Sequence, residues 1–164
     1  MNGTEDTSPG GTNPGLRCLA QNGTGSANGT DVRLHTCDGV SGFFSNNAPG
    51  WRLLASSVGG FKVVNRVNGF CLSTVTGPVD HSNVFISSCA TSGSTLNSQS
   101  WTFEAVAPTT GSRTGTPFRL HGIANPNVCV ASLGSGSSLG GNENDDVVVL
   151  SCNASGQQQW YATR

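Results

Sequence analysis

The sequence predicts one all-β domain made of three repeated units, and three observations carry that prediction. Gly, Ser, Thr and Asn supply 75 of the 164 residues and charged residues only 10%, so turn formers are abundant and helix formers are scarce. Six cysteines recur at regular spacing along the chain. Short stretches with apolar residues at alternate positions recur with them, which is typical of half-buried strands.

The composition also excludes several classes of protein. A net charge of −1 and a hydrophobic content of 35% argue against a disordered polyelectrolyte. No apolar run approaches the ~18 residues of a membrane-spanning helix, so membrane insertion is not expected. The eight lysine and arginine residues are scattered singly and offer no continuous path for a phosphate backbone. Nucleic acid is therefore not an expected partner.

The repeat becomes visible when the cysteines are taken in order. Alternate cysteines open a similar tripeptide, at Cys18, Cys71 and Cys129. The others end a strand with apolar second and fourth positions, over 31–37, 83–89 and 146–152. A tryptophan follows each time, at Trp51, Trp101 and Trp160. Three units around a shared axis bury an apolar face that one unit leaves open. We expect a single domain over 1–164, with about four short strands per repeat, a polar segment 1–11, and repeats near 12–56, 57–107 and 113–164.

The cysteines indicate a disulfide framework, although their number alone leaves many connectivities open. Taken in order they form three successive pairs whose members lie 19, 18 and 23 residues apart. The chain contains no Cys-x-x-Cys motif, which argues against a zinc ribbon. An even number at regular spacing favours an oxidising compartment, so we expect a secreted protein. Four Asn-x-Ser/Thr sequons are candidate glycosylation sites, at Asn2, Asn22, Asn28 and Asn153.

The recurring motifs resemble those of a known family. The carriers are the Cys-Leu/Val opening, the Val-x-Leu/Ile/Val-x-x-Cys strand and a Gln-x-Trp ending. That ending stands as Gln99-Ser100-Trp101 and Gln158-Gln159-Trp160, and as Pro49-Gly50-Trp51 in the first unit. In these features the chain resembles the ricin-B-like family of R-type lectins. The resemblance implies a β-trefoil, with three four-stranded repeats around a pseudo-three-fold axis. It also implies one disulfide within each repeat, 18–37, 71–89 and 129–152.

The same resemblance implies a shallow sugar site in each unit. Its carboxylate place holds Ala20, Ser73 and Ala131, and its aromatic stacking place holds His35, Ser87 and Leu150. His35 is the one planar side chain at a stacking place, with Asp31, Arg33 and Asp38 as polar partners from shifted positions. Gln99 and Gln158 complete the candidate sugar-binding residues, although the family uses this glutamine to hold a turn as well. The three tryptophans are expected in the core.

Catalysis is not expected. Asp80, His81 and Ser82 are the residue types of a catalytic triad, but neighbours on one loop do not converge as nucleophile and base must. His35, His81 and His121 fall in different units without metal-ligand spacing. The acidic stretch 140–146 lacks the spacing of a calcium loop and reads as a solvated hairpin tip. We expect no metal and no cofactor.

Two functional hypotheses remain open. The first is an extracellular carbohydrate-binding module with altered sugar sites, whose partner is a glycan or glycoprotein surface. The second is a non-catalytic structural or assembly subunit, such as a toxin-targeting, filament or surface component, that keeps the scaffold without binding sugar. The stretch near 1–12 is polar, and only four residues follow Trp160. These features predict terminal strands that are either frayed or completed by partner chains.

Overall fold

A computed structural model describes residues 17–22, 27–36, 50–107, 116–133 and 145–160. They form ten strands, one short helix and one 3-10 turn over Gly156–Gln158. The strands are β1 (Arg17–Gln21), β2 (Thr30–Thr36), β3 (Trp51–Ala55), β4 (Phe61–Asn65), β5 (Cys71–Thr74), β6 (Val84–Ser87), β7 (Trp101–Ala105), β8 (Phe118–Gly122), β9 (Val128–Ser132) and β10 (Val147–Ser151), and the helix is α1 (Gly93–Asn97). The predicted all-β class is confirmed. In this part of the chain, no helix has the length and apolar character needed to cross a membrane.

The strands divide into hairpins and barrel strands. Three antiparallel hairpins, β1–β2, β5–β6 and β9–β10, supply one pair to each unit. The strands β3, β4, β7 and β8 run between them, and each unit joins the next through an antiparallel pair, β3 with β4 and β7 with β8. The three hairpins therefore form a cap at one end of a barrel. The barrel itself is formed by the strands β3, β4, β7 and β8.

A cyclic pattern of contacts between the hairpins establishes the pseudo-three-fold axis. The strand segments 31–37, 83–89 and 146–152 are equivalent in the three units. The first residue of each segment pairs with the third residue of the segment in another unit. The three pairs are Asp31 with Phe85, Asn83 with Val148, and Asp146 with Arg33. Every hairpin thus touches both others in the same way, as three repeats around one axis require.

The core follows the predicted alternation of apolar residues. All six second and fourth positions of these strands are fully buried, namely Val32, Leu34, Val84, Ile86, Val147 and Val149. Successive side chains of a strand point to opposite faces, so these residues fill the space beneath the cap. The intervening positions lie on the opposite face, where Arg33 and Phe85 are half-buried and His35 and Val148 are buried.

The tryptophans link the barrel to the cap through equivalent hydrogen bonds. The indole nitrogens of Trp51, Trp101 and Trp160 donate to the carbonyl oxygens of Leu19, Leu72 and Val130, at 2.7, 3.1 and 2.9 Å. Each acceptor directly follows the first cysteine of its unit. The predicted core positions of Trp101 and Trp160 are confirmed. Trp51 packs against the core but is only partly buried.

Two of the three implied disulfides are present, Cys71–Cys89 and Cys129–Cys152. Cys18 is also disulfide-bonded, and its implied partner Cys37 lies outside the described residues. In the chain-entropy treatment, closing loops of this length stabilises the fold by roughly 3 kcal/mol each. The bonds thus reinforce a domain whose barrel strands are short.

The barrel is open on one side in the described part of the chain. There β3 pairs only with β4, whereas its equivalent β7 pairs with both β4 and β8. Leu53 lies opposite the buried Val63 in register and so belongs to the inner face, yet it is 51% exposed. The predicted weak terminal strands, near 1–12 and after Trp160, lie outside the described residues.

One glycine position tests the packing of the barrel. Gly60 has a φ of +64°, and a Cβ atom there would lie 2.3 Å from the carbonyl oxygen of Trp101. Gly77 has nearly the same φ, +66°, with nothing within 4 Å of its Cβ position. We expect Gly77→Ala to cost about 1 kcal/mol from backbone strain alone and Gly60→Ala about 3 kcal/mol.

Chemical denaturation of the two variants measures the difference in their free energies of unfolding. Equal destabilisation of both would contradict a close approach of the chain to Trp101.

Candidate functional site

Five of the six cyclically paired positions around the pseudo-three-fold axis form a cluster of four polar side chains and one aromatic ring, and the sixth, Val148, is buried. This cluster, here called the hairpin junction, consists of Asp31, Arg33, Asn83, Phe85 and Asp146. Asp31 and Arg33 come from β2, Phe85 comes from β6, and Asn83 and Asp146 immediately precede β6 and β10. The cyclic pairing of the hairpins brings them together, because their partners in register lie on other units.

Two hydrogen-bonded pairs order the hairpin junction. The side-chain nitrogen of Asn83, Nδ2, donates to Oδ1 of Asp31 at 2.6 Å. Nη2 of Arg33 lies 3.1 Å from Oδ1 of Asp146. The side chains of Arg33 and Asp146 remain 31% and 55% exposed, so both are available to a ligand. These pairs fix the directions of the polar groups in advance of binding.

Phe85 adds an apolar surface to the hairpin junction. It is partly buried and lies directly opposite Asp31 in register. Side chains opposite each other on one face of an antiparallel pair lie about 5 Å apart at Cβ. The junction therefore combines a planar ring with two carboxylates, an amide and a guanidinium.

Four positions of the sugar sites implied by the family resemblance are buried, whereas Ser87 and Leu150 at the other two stacking places are half-buried. The three residues at the carboxylate place, Ala20, Ser73 and Ala131, are fully buried. His35, proposed as the stacking residue, lies opposite Cys18 and is only 5% exposed. Its ring does not offer an open platform. Of the proposed partners, Asp31 and Arg33 belong to the hairpin junction, and Asp38 lies outside the described residues.

Gln99 and Gln158 hold the turn that follows each second cysteine. Their amide nitrogens donate to the equivalent carbonyls of Ser88 and Ser151, both at 2.9 Å. Their amide oxygens accept the backbone N–H groups of Ala90 and Asn153, at 2.7 and 2.8 Å. Both side chains are fully buried, so they hold these turns, and their part in sugar binding stays a prediction.

The remaining residues singled out in the sequence lie on the loop 80–82 and in the acidic stretch before β10. Ser82 Oγ accepts the backbone N–H of Val79, while His81 Nε2 lies 3.5 Å from Asp80. The acidic stretch 140–146 is described only at Asp145 and Asp146, and Asp146 is engaged with Arg33. Ser82 is thus engaged by the backbone of its own loop, and the expectation that this loop carries no catalysis stays a prediction.

The sequons differ in accessibility. Asn28 and Asn153 are exposed and Asn22 is half-buried, while Asn2 lies outside the described residues. Glycosylation at these positions stays a prediction. The Oδ1 atom of Asn28 also accepts the backbone N–H of Ser88 at 2.6 Å.

That contact belongs to a clamp between units that sequence patterns did not predict. Asp80 occupies the equivalent place in the second unit, and its Oδ1 accepts the backbone N–H of Ser151. The next residue in each case, Gly29 or His81, has a positive φ and donates its N–H to the neighbouring unit. Asn28 and Asp80 each lie three residues before a repeated strand segment, 31–37 or 83–89. This equal spacing is the signal that identifies them.

Comparisons with known proteins support the fold. No protein-family model matches the chain, and no curated protein matches it in sequence. Among solved structures, the designed three-fold symmetric protein ThreeFoil matches with a TM-score of 0.65 and 20% identity, over 88% of this chain and 89% of that one.

Cytolethal distending toxin structures also match this chain. The toxin of Actinobacillus actinomycetemcomitans matches with a TM-score of 0.59 and 13% identity, over 88% of both chains. That of Haemophilus ducreyi matches with a TM-score of 0.57 and 13% identity, over 88% of this chain and 80% of the other. At these identities the likeness concerns architecture. Together with the cyclic hairpin pairing, it confirms that the chain has a β-trefoil fold.

The clamp at Asp80 predicts sensitivity to acid. The backbone N–H of Ser151 is the main cause that lowers the pKa of Asp80; desolvation opposes it, and the charge of His81 lowers the pKa further. A carboxyl with a lowered folded pKa contributes stability above its unfolded pKa, about 4. That contribution is lost as pH falls through the folded pKa. We expect Asp80→Asn to lose less thermal stability than the wild type between pH 5 and pH 2.

Calorimetry across this range measures the slope. Asn28→Asp is the matched reciprocal variant, because it places a carboxylate on the equivalent N–H and should steepen the loss. An unchanged slope for Asp80→Asn would contradict the role of this carboxylate.

Proposed function

We propose that the chain is a non-catalytic carbohydrate-binding module that contacts its ligand at the hairpin junction. One observation carries the proposal: Asp31, Arg33, Asn83, Phe85 and Asp146 come together around the axis. The resemblance of the sequence motifs to the R-type lectins supports the same class of ligand. The β-trefoil fold agrees with that class, but a fold alone does not determine a function.

The chemistry of the hairpin junction suits a neutral sugar. Sugar hydroxyl groups need hydrogen-bond partners that both donate and accept, and the carbon face of the ring needs a flat apolar surface. Asp31 and Asp146 accept, Arg33 donates, and Asn83 does both. Phe85 supplies the ring. The low net charge of the chain, −1, agrees with a neutral ligand.

The position of the hairpin junction also predicts the stoichiometry. Because the residues at the family's carboxylate place are buried in all three units, we infer one site on the axis and not one in each unit. The axis brings together different residues from the three hairpins, so the site lacks the symmetry of the fold. Secretion belongs to the proposal as well, since the disulfides agree with an oxidising compartment.

A glycan array followed by titration calorimetry tests this proposal. We expect at least one neutral glycan to bind with one site per chain. The Asp31→Asn variant should weaken binding about tenfold, because it removes a charged acceptor worth about 1.4 kcal/mol.

Arg52→Gln is the matched control, since Arg52 is an exposed charged residue on β3 and should leave affinity unchanged. An array with no binding, or an equal loss in both variants, would overturn the proposal.

A second candidate function is assembly through the exposed apolar residues beside β3, on the side of the barrel that is open in the described residues. Phe61 is 41% exposed and Leu53 is 51% exposed, although both belong to the inner face. Phe61 packs edge-on against Phe103, with ring centroids 5.7 Å apart, and Phe103 packs against Phe118 at 5.1 Å. Exposed apolar patches of this kind mark interaction surfaces. We propose a second copy of the chain as the partner, joined at this face.

Sedimentation velocity at increasing protein concentration tests the assembly. The wild type should form dimers by about 100 µM, which corresponds to a weak interface, and Leu53→Asn should remain monomeric. Val79→Asn serves as the control, because Val79 is 66% exposed on the loop before β6 and lies away from this face. A wild type that stays monomeric, or dimers that persist in Leu53→Asn, would exclude this interface.

A further inference from the structure

We propose that Cys152 is a site of thiol–disulfide exchange and that His121 activates the Cys129–Cys152 bond. His121 Nδ1 lies 3.4 Å from Cys152 Sγ and 3.5 Å from Cys129 Sγ. Both sulfurs of this bond therefore lie against one imidazole ring. His121 lies opposite Cys129 in register, on the neighbouring strand β8.

The second unit provides an internal comparison. The Cys71–Cys89 bond is its equivalent, and Val64 lies opposite Cys71 in the same way. In both bonds the first cysteine is fully buried and the second is half-buried. Accessibility is thus similar, and the residue beside the first cysteine is a clear chemical difference between the two bonds.

Both ring nitrogens of His121 face an oxygen acceptor. Its Nε2 lies 2.8 Å from Oε2 of Glu104, and its Nδ1 lies 3.0 Å from the carbonyl oxygen of Pro126. A ring that carries both protons donates to both oxygens. Arg119 shares the same Glu104 oxygen at 3.2 Å, and Asp80 is bonded to the N–H of Ser151 on the other side of Cys152.

A positive ring at this place assists cleavage of the disulfide. The thiolate of a low-molecular-weight aliphatic thiol attacks Sγ of Cys152, the more accessible sulfur. A new sulfur–sulfur bond forms, the Cys129–Cys152 bond breaks, and its electron pair moves to Sγ of Cys129. The Cys129 thiolate then lies beside His121, which stabilises its charge and donates a proton to it. A leaving thiolate of lowered pKa departs faster.

The products are a mixed disulfide at Cys152 and a thiol at Cys129. A second thiolate of the same class completes the reduction by attacking the mixed disulfide, which releases the small-molecule disulfide. The third hairpin, β9–β10, then loses the covalent link between its ends. The first and second units are not altered by this step.

Exchange with reduced glutathione, mapped by alkylation and mass spectrometry, tests the proposal on the whole folded chain. In the wild type we expect Cys129–Cys152 to react about three- to tenfold faster than Cys71–Cys89. His121→Val copies the second unit and should make the two rates equal. His121→Gln keeps a polar side chain without the positive charge and should have the same effect.

The reciprocal variant Val64→His separates activation from a structural effect, because it should accelerate exchange at Cys71–Cys89. Near-ultraviolet circular dichroism establishes that each variant is folded before its rates are compared. Equal rates in the wild type, or an unchanged preference in both His121 variants, would overturn the proposal.

Discussion

The hydrogen bond from each tryptophan indole to a hairpin carbonyl is the constraint on which the molecule depends. The donors are Trp51 at the start of β3, Trp101 at the start of β7, and Trp160, and each acceptor directly follows the first cysteine of its unit. A buried indole N–H needs an acceptor, so barrel and cap cannot shift independently. The disulfides, the glutamine turns and the hairpin junction all lie on hairpins whose positions these bonds determine.

Local pattern predicted the strands, because burial of alternate side chains follows from the geometry of a strand. Val32 and Leu34, for example, are buried as expected. Contacts between units were not predictable in the same way. The pairing of Asp31 with Asn83, or of Arg33 with Asp146, depends on how three hairpins pack, and no local signal in either segment contains the position of the other.

The candidate sugar residues show a related limit of sequence reasoning. The position of a residue within a repeat predicts which residues lie beside its side chain. It does not predict whether that side chain is exposed to solvent. His35 lies beside Cys18 as its place requires, yet it is buried. Gln99 turns inward because two backbone groups that flank Cys89, the carbonyl of Ser88 and the N–H of Ala90, need its amide. An unpaired backbone group under the surface is costly, so the turn determines where this side chain points.

The cyclic hairpin pairing has a consequence for how the domain unfolds. In a linear array of repeats each terminal unit has one neighbour, so such arrays fray from their ends. Here every hairpin touches both others, through the same pair of strand positions. A closed ring of three has no terminal member, and the loss of one hairpin removes contacts from both of the rest. Loss of structure in the cap is therefore concerted, although its parts are copies of one another.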